Sequence, residues 1–261
     1  MENPPVTGLA FEWSVCVFVS ASTRCFAEMD FWQALRQIAD LEFDKVEIWM
    51  DEEGSLKPSV VLSNIDQFVS QLRDQTRLSP VAFTLAQDVS NEHFIELCKL
   101  CKVLRVTQVN IPSDVLGTPF NSEIDRLKSL TKTAAVEGVR VAIRMERGRL
   151  SEDAHTAVEL CQAVKGLGVA FDPSYFLGDI HEQVLALVGP HCYHVHLRDS
   201  TEKEFQVQVG LGTIDYSRII TVLERHHYDR ALSVELMPNL VAQDQRPLEL
   251  RKLRMLLDSL L

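Results

Sequence analysis

The hydrophobic pattern of the chain alternates between short apolar runs and longer segments with helical spacing. Segments such as 30–38 carry apolar residues three or four positions apart, as on one face of a helix. Residues that favour helix N-termini, including Asn64 and Asp215, begin other such segments. The apolar runs have the length of buried strands, and they are 15–19, 46–49, 81–85, 107–111, 139–143, 169–171, 193–197 and 232–236. Strands that alternate with helices in this way over about 250 residues predict an α/β fold of the (β/α)8 TIM-barrel type.

We expect a single domain over residues 1–261, because no linker, low-complexity segment or charge run divides the chain. A doubly wound open sheet is the alternative. That fold normally has a glycine-rich turn after its first strand, and the sequence has none there. Gly138 and Gly168 precede predicted strands, and we expect both to end helices.

Ionisable residues lie where several apolar runs end, as Glu47, Asp172, His196 and Glu235 do. A charge inside an apolar run is costly unless it is paired, metal-bound or hydrated. Strand side chains alternate between two faces, and this parity lets one inward set meet at the C-terminal end of a barrel, where active sites lie. The set is Glu47, Trp49, Asn110, Arg144, Glu146, Asp172, His196 and Glu235. Structural ion pairs, with the arginine neutralising the acids, are the alternative interpretation.

The net charge of the chain and the length of its apolar runs limit the kinds of partner that it can bind. The formal net charge is -11, which disfavours binding to a phosphate backbone, so we expect no nucleic-acid partner. No apolar run approaches the roughly 18 residues of a membrane helix, so we expect no membrane partner. The N-terminal residues do not resemble a signal peptide, so a cytoplasmic location is expected. The oligomeric state is left open, with a homo-oligomer as one alternative.

Several segments together resemble the xylose-isomerase-like TIM-barrel superfamily, which contains sugar isomerases and epimerases, cyclitol dehydratases and abasic-site endonucleases. The segment 194–199, HVHLRD, is similar to the family's strand-seven histidine motif, and 210–215, GLGTID, is similar to its glycine loop. The segment 228–235 resembles the motif that ends in the final glutamate, and 168–173 resembles the strand-six aspartate motif. Glu47 resembles the strand-two glutamate. The likeness spans nearly the whole chain.

The resemblance implies a site for one divalent cation, Mn, Mg or Zn. Asp172, His196 and Glu235 match three of the family's four ligands, but Arg144 stands where the fourth, a strand-five glutamate, is expected. Two outcomes are open. Arg144 points aside and Glu146 becomes the fourth ligand, or the guanidinium replaces the metal and clamps an enolate, carboxylate or phosphate.

The leading hypothesis is an isomerase or epimerase of a small sugar or polyol, which moves a proton at the carbon next to a carbonyl. Glu235, Glu146 and Arg144 are the candidate catalytic residues. The candidate substrate-binding residues are Glu47, Trp49, Asn110, Tyr175 and Arg198. Tyr175 lies near the position of a substrate-binding histidine in many members, a second departure from the family. The alternative is a non-catalytic ligand-binding barrel that has lost the metal site. A repair nuclease is disfavoured by the acidic charge and the few histidines at strand ends.

Overall fold

The computed structural model describes residues 17–176 and 180–261, and its strands form one closed parallel barrel in chain order. The strands are β1 (Phe18–Ser22), β2 (Lys45–Met50), β3 (Ser79–Leu85), β4 (Gln108–Pro112), β5 (Arg140–Arg144), β6 (Leu167–Phe171), β7 (Cys192–Leu197) and β8 (Ala231–Val234). β1 pairs with both β2 and β8, which closes the barrel. The predicted α/β TIM-barrel fold is therefore confirmed.

Helices lie between successive strands and pack on the outside of the barrel. They are α1 (Phe31–Asp40), α2 (Pro58–Val61), α3 (Ile65–Gln75), α4 (Asn91–Leu104), α5 (Phe120–Val136), α6 (Ala154–Ala163), α7 (Ile180–Val188), α8 (Tyr216–Arg225) and α9 (Arg246–Asp258). Asn64 and Asp215 accept main-chain N–H groups at the starts of α3 and α8, as the sequence predicts. In the described part of the chain, no helix is both long enough and apolar enough to cross a membrane.

Alternation along the strands separates the apolar core from the barrel interior. In β2, Val46, Ile48 and Met50 are fully buried among the apolar residues beneath the helices. Glu47 and Trp49 have the opposite parity and lie inside the barrel with polar groups from other strands. Because side chains alternate along each strand, the apolar ones pack against the helices and the ionisable ones lie together at one central site.

Two local expectations differ from the structure. The first strand is Phe18–Ser22 rather than 15–19, and positions 15 and 16 lie outside the described residues. Gly168 does not end a helix. It lies inside β6, where a Cβ would come within 2.3 Å of the Tyr193 ring. The glycine with the left-handed backbone after α6 is Gly166, with a φ of +86°, whereas Gly138 has a φ of +72° directly after α5, as expected.

Candidate active site

A carboxylate in the middle of the barrel contacts two imidazoles. Glu47 has no exposed surface, and its oxygens lie 2.9 Å from Nε2 of His194 and 2.8 Å from Nε2 of His196. The hydroxyl of Thr84 in β3 donates to Oε1 of Glu47 at 2.5 Å. Because β2 and β7 are not neighbours in the barrel, these contacts cross the interior.

The polar layer around Glu47 continues to both sides. Asn110 in β4 donates to the Thr84 hydroxyl at 2.9 Å and accepts from the amide of Gln108 at 2.9 Å. On the other side, Nε2 of His194 lies 3.1 Å from the hydroxyl of Ser233 in β8. Asn110 is fully buried, so its amide lies in the layer inside the barrel, below the mouth.

Arg198, directly after β7, bridges two carboxylates at the strand ends. Its Nη1 lies 2.7 Å from Oδ2 of Asp172, and its Nη2 lies 3.2 Å from Oε1 of Glu235. Nη1 also donates to the Ser174 hydroxyl at 2.8 Å. Nε2 of His196 lies 3.3 Å from the other carboxylate oxygen of Glu235. A fully buried guanidinium thus joins the ends of β6 and β8.

A second guanidinium reaches Glu235 from the β1 side. Nη1 of Arg24 lies 2.5 Å from Oε1 of Glu235, and the Arg24 side chain is 23% exposed. Cζ of Arg24 lies 4.0 Å from the centroid of the Trp49 ring. Trp49 is only 8% exposed, so the ring of this candidate substrate-binding residue is largely covered by its neighbours.

Arg144 points across the mouth and not aside. Its Cζ lies 4.8 Å from the Trp49 ring centroid, although β5 and β2 are separated by two other strands. Nη2 donates to Oε1 of Glu146 at 3.0 Å and to the carbonyl of Ala86 at 3.2 Å. Nε of Arg149 also lies 3.7 Å from Oε1 of Glu146. Glu146 therefore faces two arginines at the rim.

Tyr175 lies at the same rim, in the 3-10 turn Pro173–Tyr175 that follows β6. Its ring tilts against that of Phe205 at a centroid distance of 4.8 Å, and Cζ of Arg198 lies 4.6 Å from the Phe205 centroid. Burial raises the pKa of Tyr175 to about 12. The phenol therefore stays protonated near neutral pH.

The proximity of opposite charges decides the protonation of the acids and imidazoles. Burial works against the ionised form of Glu235, but His196, Arg24 and Arg198 outweigh it and lower the pKa of Glu235 to about 2. Burial likewise opposes ionisation of Glu47, yet the two imidazoles hold its pKa well below the usual value. The pKa of His196 is raised, because Glu47 and Glu235 outweigh burial, whereas burial lowers the pKa of His194.

Glu47, His194 and His196 form a group that could hold a metal ion. One ligand atom from each lies within 4.8 Å of the others, and all three residues are buried. Of the metal ligands that the family resemblance suggests, Asp172, His196, Glu235 and Glu146, only His196 belongs to this group. Imidazole and carboxylate ligands suit zinc and related transition metals.

Comparisons with known proteins agree with the barrel. A family model described as "Xylose isomerase-like TIM barrel" matches residues 35–256. The chain belongs to the xylose isomerase-like TIM-barrel family. A search of curated proteins finds no significant match.

Solved structures share the fold of this family member at low sequence identity. The probable 3-DHS dehydratase AsbF from Bacillus anthracis is 14% identical with a TM-score of 0.71, over 93% of this chain and 98% of that one. The D-allulose 3-epimerase from Methylomonas sp. is 12% identical with a TM-score of 0.71, over 94% and 98%. A xylose isomerase-like TIM-barrel protein from Mycobacterium smegmatis in complex with magnesium is 17% identical with a TM-score of 0.66, over 92% and 97%.

The residues at the family's expected cation position do not fit a metal as they stand. Arg144 occupies the position expected for a glutamate, and its guanidinium holds Glu146, the candidate substitute ligand. Arg198 already bonds both Asp172 and Glu235. A cation there would have to displace guanidinium groups that carry the same sign of charge.

Arg24 and His194 are among the residues of this site that sequence reasoning missed. Arg24 follows a strand whose inward residues are Ser20 and Ser22, so the apolar-run signal pointed to a segment too close to the N-terminus. His194 has the inward parity of His196, and that parity was the available signal. Its closeness to Glu47 depends on barrel closure, which no local pattern encodes.

The glycine loop that resembles the family motif is tied to the barrel by Asp199. Oδ2 of Asp199 accepts N–H groups from Gly210 at 2.8 Å and from Gly212 at 3.0 Å. A Cβ on Gly212 would come within 1.8 Å of Oδ1 of Asp199. The loop backbone can therefore approach this carboxylate only because position 212 lacks a side chain.

Proposed function

We propose that this barrel is an isomerase or epimerase of a small sugar or sugar-like polyol, which moves a proton at the carbon next to a carbonyl. The observation that carries the proposal is the bridge from Arg198 to Asp172 and Glu235, with His196 3.3 Å from Glu235. Proton abstraction from carbon requires a base and an electrophile that stabilises the developing oxyanion. The mouth holds a carboxylate and a guanidinium in direct contact.

In the proposed reaction, Glu235 removes the proton, and the electron pair of the broken C–H bond becomes the double bond of an enediolate. The oxyanion is stabilised by Arg198 in place of a Lewis acid. For isomerisation, a proton returns to the former carbonyl carbon while the neighbouring hydroxyl passes its proton to the oxyanion and becomes the new carbonyl. For epimerisation, the proton returns to the opposite face of the carbon that lost it. Glu146, on the strand-five side of the mouth, is the second carboxylate available for that transfer.

Substrate binding has to release the base. A carboxylate with a pKa of about 2 is a weak proton acceptor. Arg24 is the partly exposed partner of Glu235, so it is the guanidinium that a substrate oxygen can draw away. Loss of that contact raises the pKa of Glu235 and makes it a stronger base.

We assign Trp49 and Tyr175 to substrate contact at the rim. Arg198 is fully buried, so in this proposal it reaches the developing oxyanion only after substrate binding has released Glu235. Glu47 and Asn110 are fully buried in the polar layer, so in this proposal they act through His196 and Thr84. Glu47 holds the imidazole of His196 at 2.8 Å. That contact orients the ring toward Glu235.

We further propose that the reaction proceeds without the family's metal, because arginines occupy its place. A metal at Glu47, His194 and His196 is the alternative, for which zinc is the best match to the ligand types. Metal analysis of the purified protein, together with activity before and after chelation, separates the two. Activity that disappears on chelation and returns with zinc would contradict the metal-free proposal.

Exchange of substrate hydrogen with deuterated water tests the reaction itself. A panel of pentoses, hexoses and cyclitol ketones should include a ketose that gains deuterium next to its carbonyl. Glu235→Gln should suppress this exchange by about 100-fold or more, the usual scale of general-base catalysis. Glu123→Gln is a matched control, because Glu123 is equally buried but pairs with Arg126 outside the barrel. If deuterium exchange persists in the Glu235→Gln variant, Glu235 is not the base and Glu146 becomes the next candidate.

A ligand-binding barrel without catalysis is the second candidate. The observation that favours it is the covered Trp49 ring together with the neutralisation of Glu235 by two arginines. Absence of exchange across the whole panel, with and without added Mn²⁺, would favour this function over the isomerase.

A further inference from the structure

Two arginines lie against one tryptophan ring at the mouth. Cζ of Arg24 lies 4.0 Å and Cζ of Arg144 lies 4.8 Å from the centroid of Trp49. The two guanidinium carbons are therefore no farther apart than these two distances together. Like charges at this range repel each other, most strongly where water is excluded.

Arg144 has hydrogen-bond donors that remain unused. Nη2 donates to Glu146 and Ala86, but Nε and Nη1 are buried without a hydrogen-bond partner among the described residues. Leaving buried N–H groups unsatisfied costs free energy, and more so on a charged group. Burial lowers the pKa of Arg144; Glu146 opposes that change and the charge of Arg24 adds to it. Acceptor atoms with negative charge would satisfy these donors and reduce the repulsion.

We propose that Arg144 and Arg24 together bind an anionic group of the substrate, a carboxylate or a phosphate. The protein would then act on sugar acids or sugar phosphates in preference to neutral sugars. Guanidinium groups form short, charge-assisted hydrogen bonds with both kinds of oxyanion. The assignment of this anion to the substrate rests on the proposed isomerase function, but the binding site itself does not.

The site also links binding to catalysis. Nη1 of Arg24 lies on Oε1 of Glu235 at 2.5 Å. An anion that attracts Arg24 weakens this ion pair and frees the carboxylate. A neutral sugar lacks the charge to do so, which gives the site a means of selecting anionic substrates.

Calorimetric titration of the full chain tests the proposal, with inorganic phosphate, D-fructose, D-fructose 6-phosphate and D-gluconate as probes. Phosphate and at least one of the two anionic sugars should bind about 10-fold or more tightly than D-fructose. Arg144→Gln and Arg24→Gln should each weaken binding of the anions by about 10- to 100-fold, the scale of a lost charge-assisted hydrogen bond. Arg140→Gln is the matched control, because Arg140 begins the same strand at the opposite end of the barrel.

Tryptophan fluorescence locates the binding. Anions should change the emission of the wild type but not that of Trp49→Phe. Preference for D-fructose 6-phosphate identifies phosphate as the anion, and preference for D-gluconate identifies carboxylate. If the Arg144→Gln variant does not fold, anion binding by the Arg24→Gln variant decides, because Arg24 is partly exposed. Equal affinity for D-fructose and the anions, or undiminished affinity in Arg24→Gln and in a folded Arg144→Gln, would overturn the proposal.

Failure of this proposal differs from failure of the isomerase function. Anion binding without any deuterium exchange leaves the anion site standing and removes the isomerase. Deuterium exchange into neutral sugars alone, without anion binding, removes the anion site and leaves the isomerase.

Discussion

The two halves of the barrel mouth differ in the charges that they contribute. The half built by β6, β7 and β8 carries Asp172, His196 and Glu235, which resemble the family's ligand residues. The half built by β2 and β5 carries Trp49 and Arg144, and its guanidinium extends across the mouth. The acids of the first half pair with Arg198 of the same half and with Arg24, whereas Arg144 of the second half pairs with Glu146. Ligand-type residues on three strands can thus be paired with arginines, so their presence alone does not identify a metal site.

The largest expected effect comes from removing the cation that joins the acidic half. Arg198→Met leaves Asp172 and Glu235 buried without their shared partner, which should cost about 3–5 kcal/mol of unfolding free energy. Urea unfolding at pH 7 measures it. Arg140→Met removes the same charge from a half-buried site and should cost about 1 kcal/mol or less. Equal losses in the two variants would show that the bridge contributes nothing beyond packing.

A smaller effect is expected from acid acting on the same half. Glu235 titrates from a pKa of about 2 in the folded state and from an ordinary value of 4.5 when unfolded. Its contribution to stability is therefore complete above about 4.5 and is lost as the pH falls towards 2; it is on the order of 3 kcal/mol. Denaturant unfolding from pH 7 to pH 3 should show a steeper loss for the wild type than for Glu235→Gln. Parallel profiles would contradict the low pKa.

The smallest expected effect sharpens the comparison from the other half. Arg144→Glu places a carboxylate where the family resemblance expects one. Mn²⁺ affinity should therefore rise by about 10-fold or more, which is the lower end of the effect that mutations around a metal site have on metal affinity. Calorimetric titration measures it, with Arg140→Glu as the control for the same charge reversal. Tight binding of Mn²⁺ by the wild type would instead point to Glu146 as a ligand. Glu146→Ala should then abolish that binding.

The barrel was predictable because most of its strands are apolar runs separated by helical spacing. β1 was misplaced because Ser20 and Ser22 face the interior, which leaves its C-terminal part without an apolar signature. Within the site, parity identified the inward side chains of Glu47, His196 and Glu235. Their depth was not predictable: Asn110 lies in the buried layer because strand stagger, not sequence, sets the height of each residue along the axis.

Pairing inside the site was also beyond the sequence. Arg198 folds back from the end of β7 to reach two acids, and Arg24 reaches Glu235 from the 3-10 turn that follows β1. Such contacts join residues that are far apart in the chain, and long flexible side chains have many other partners within reach. Only the closed geometry selects among them.

The hydrogen bonds between Asp199 and the glycine loop divide this region into positions that tolerate substitution and positions that do not. Gly210 and Gly212 donate their N–H groups to Asp199, whereas Glu202 and Lys203, in the turn that follows Asp199, are exposed. The length and composition of this exposed turn can therefore change without disturbing the hydrogen bonds to Asp199. At the base, even the smallest side chain at position 212 would push the carboxylate away. Substitution is thus tolerated at the exposed turn and restricted at position 212, which lies against Asp199.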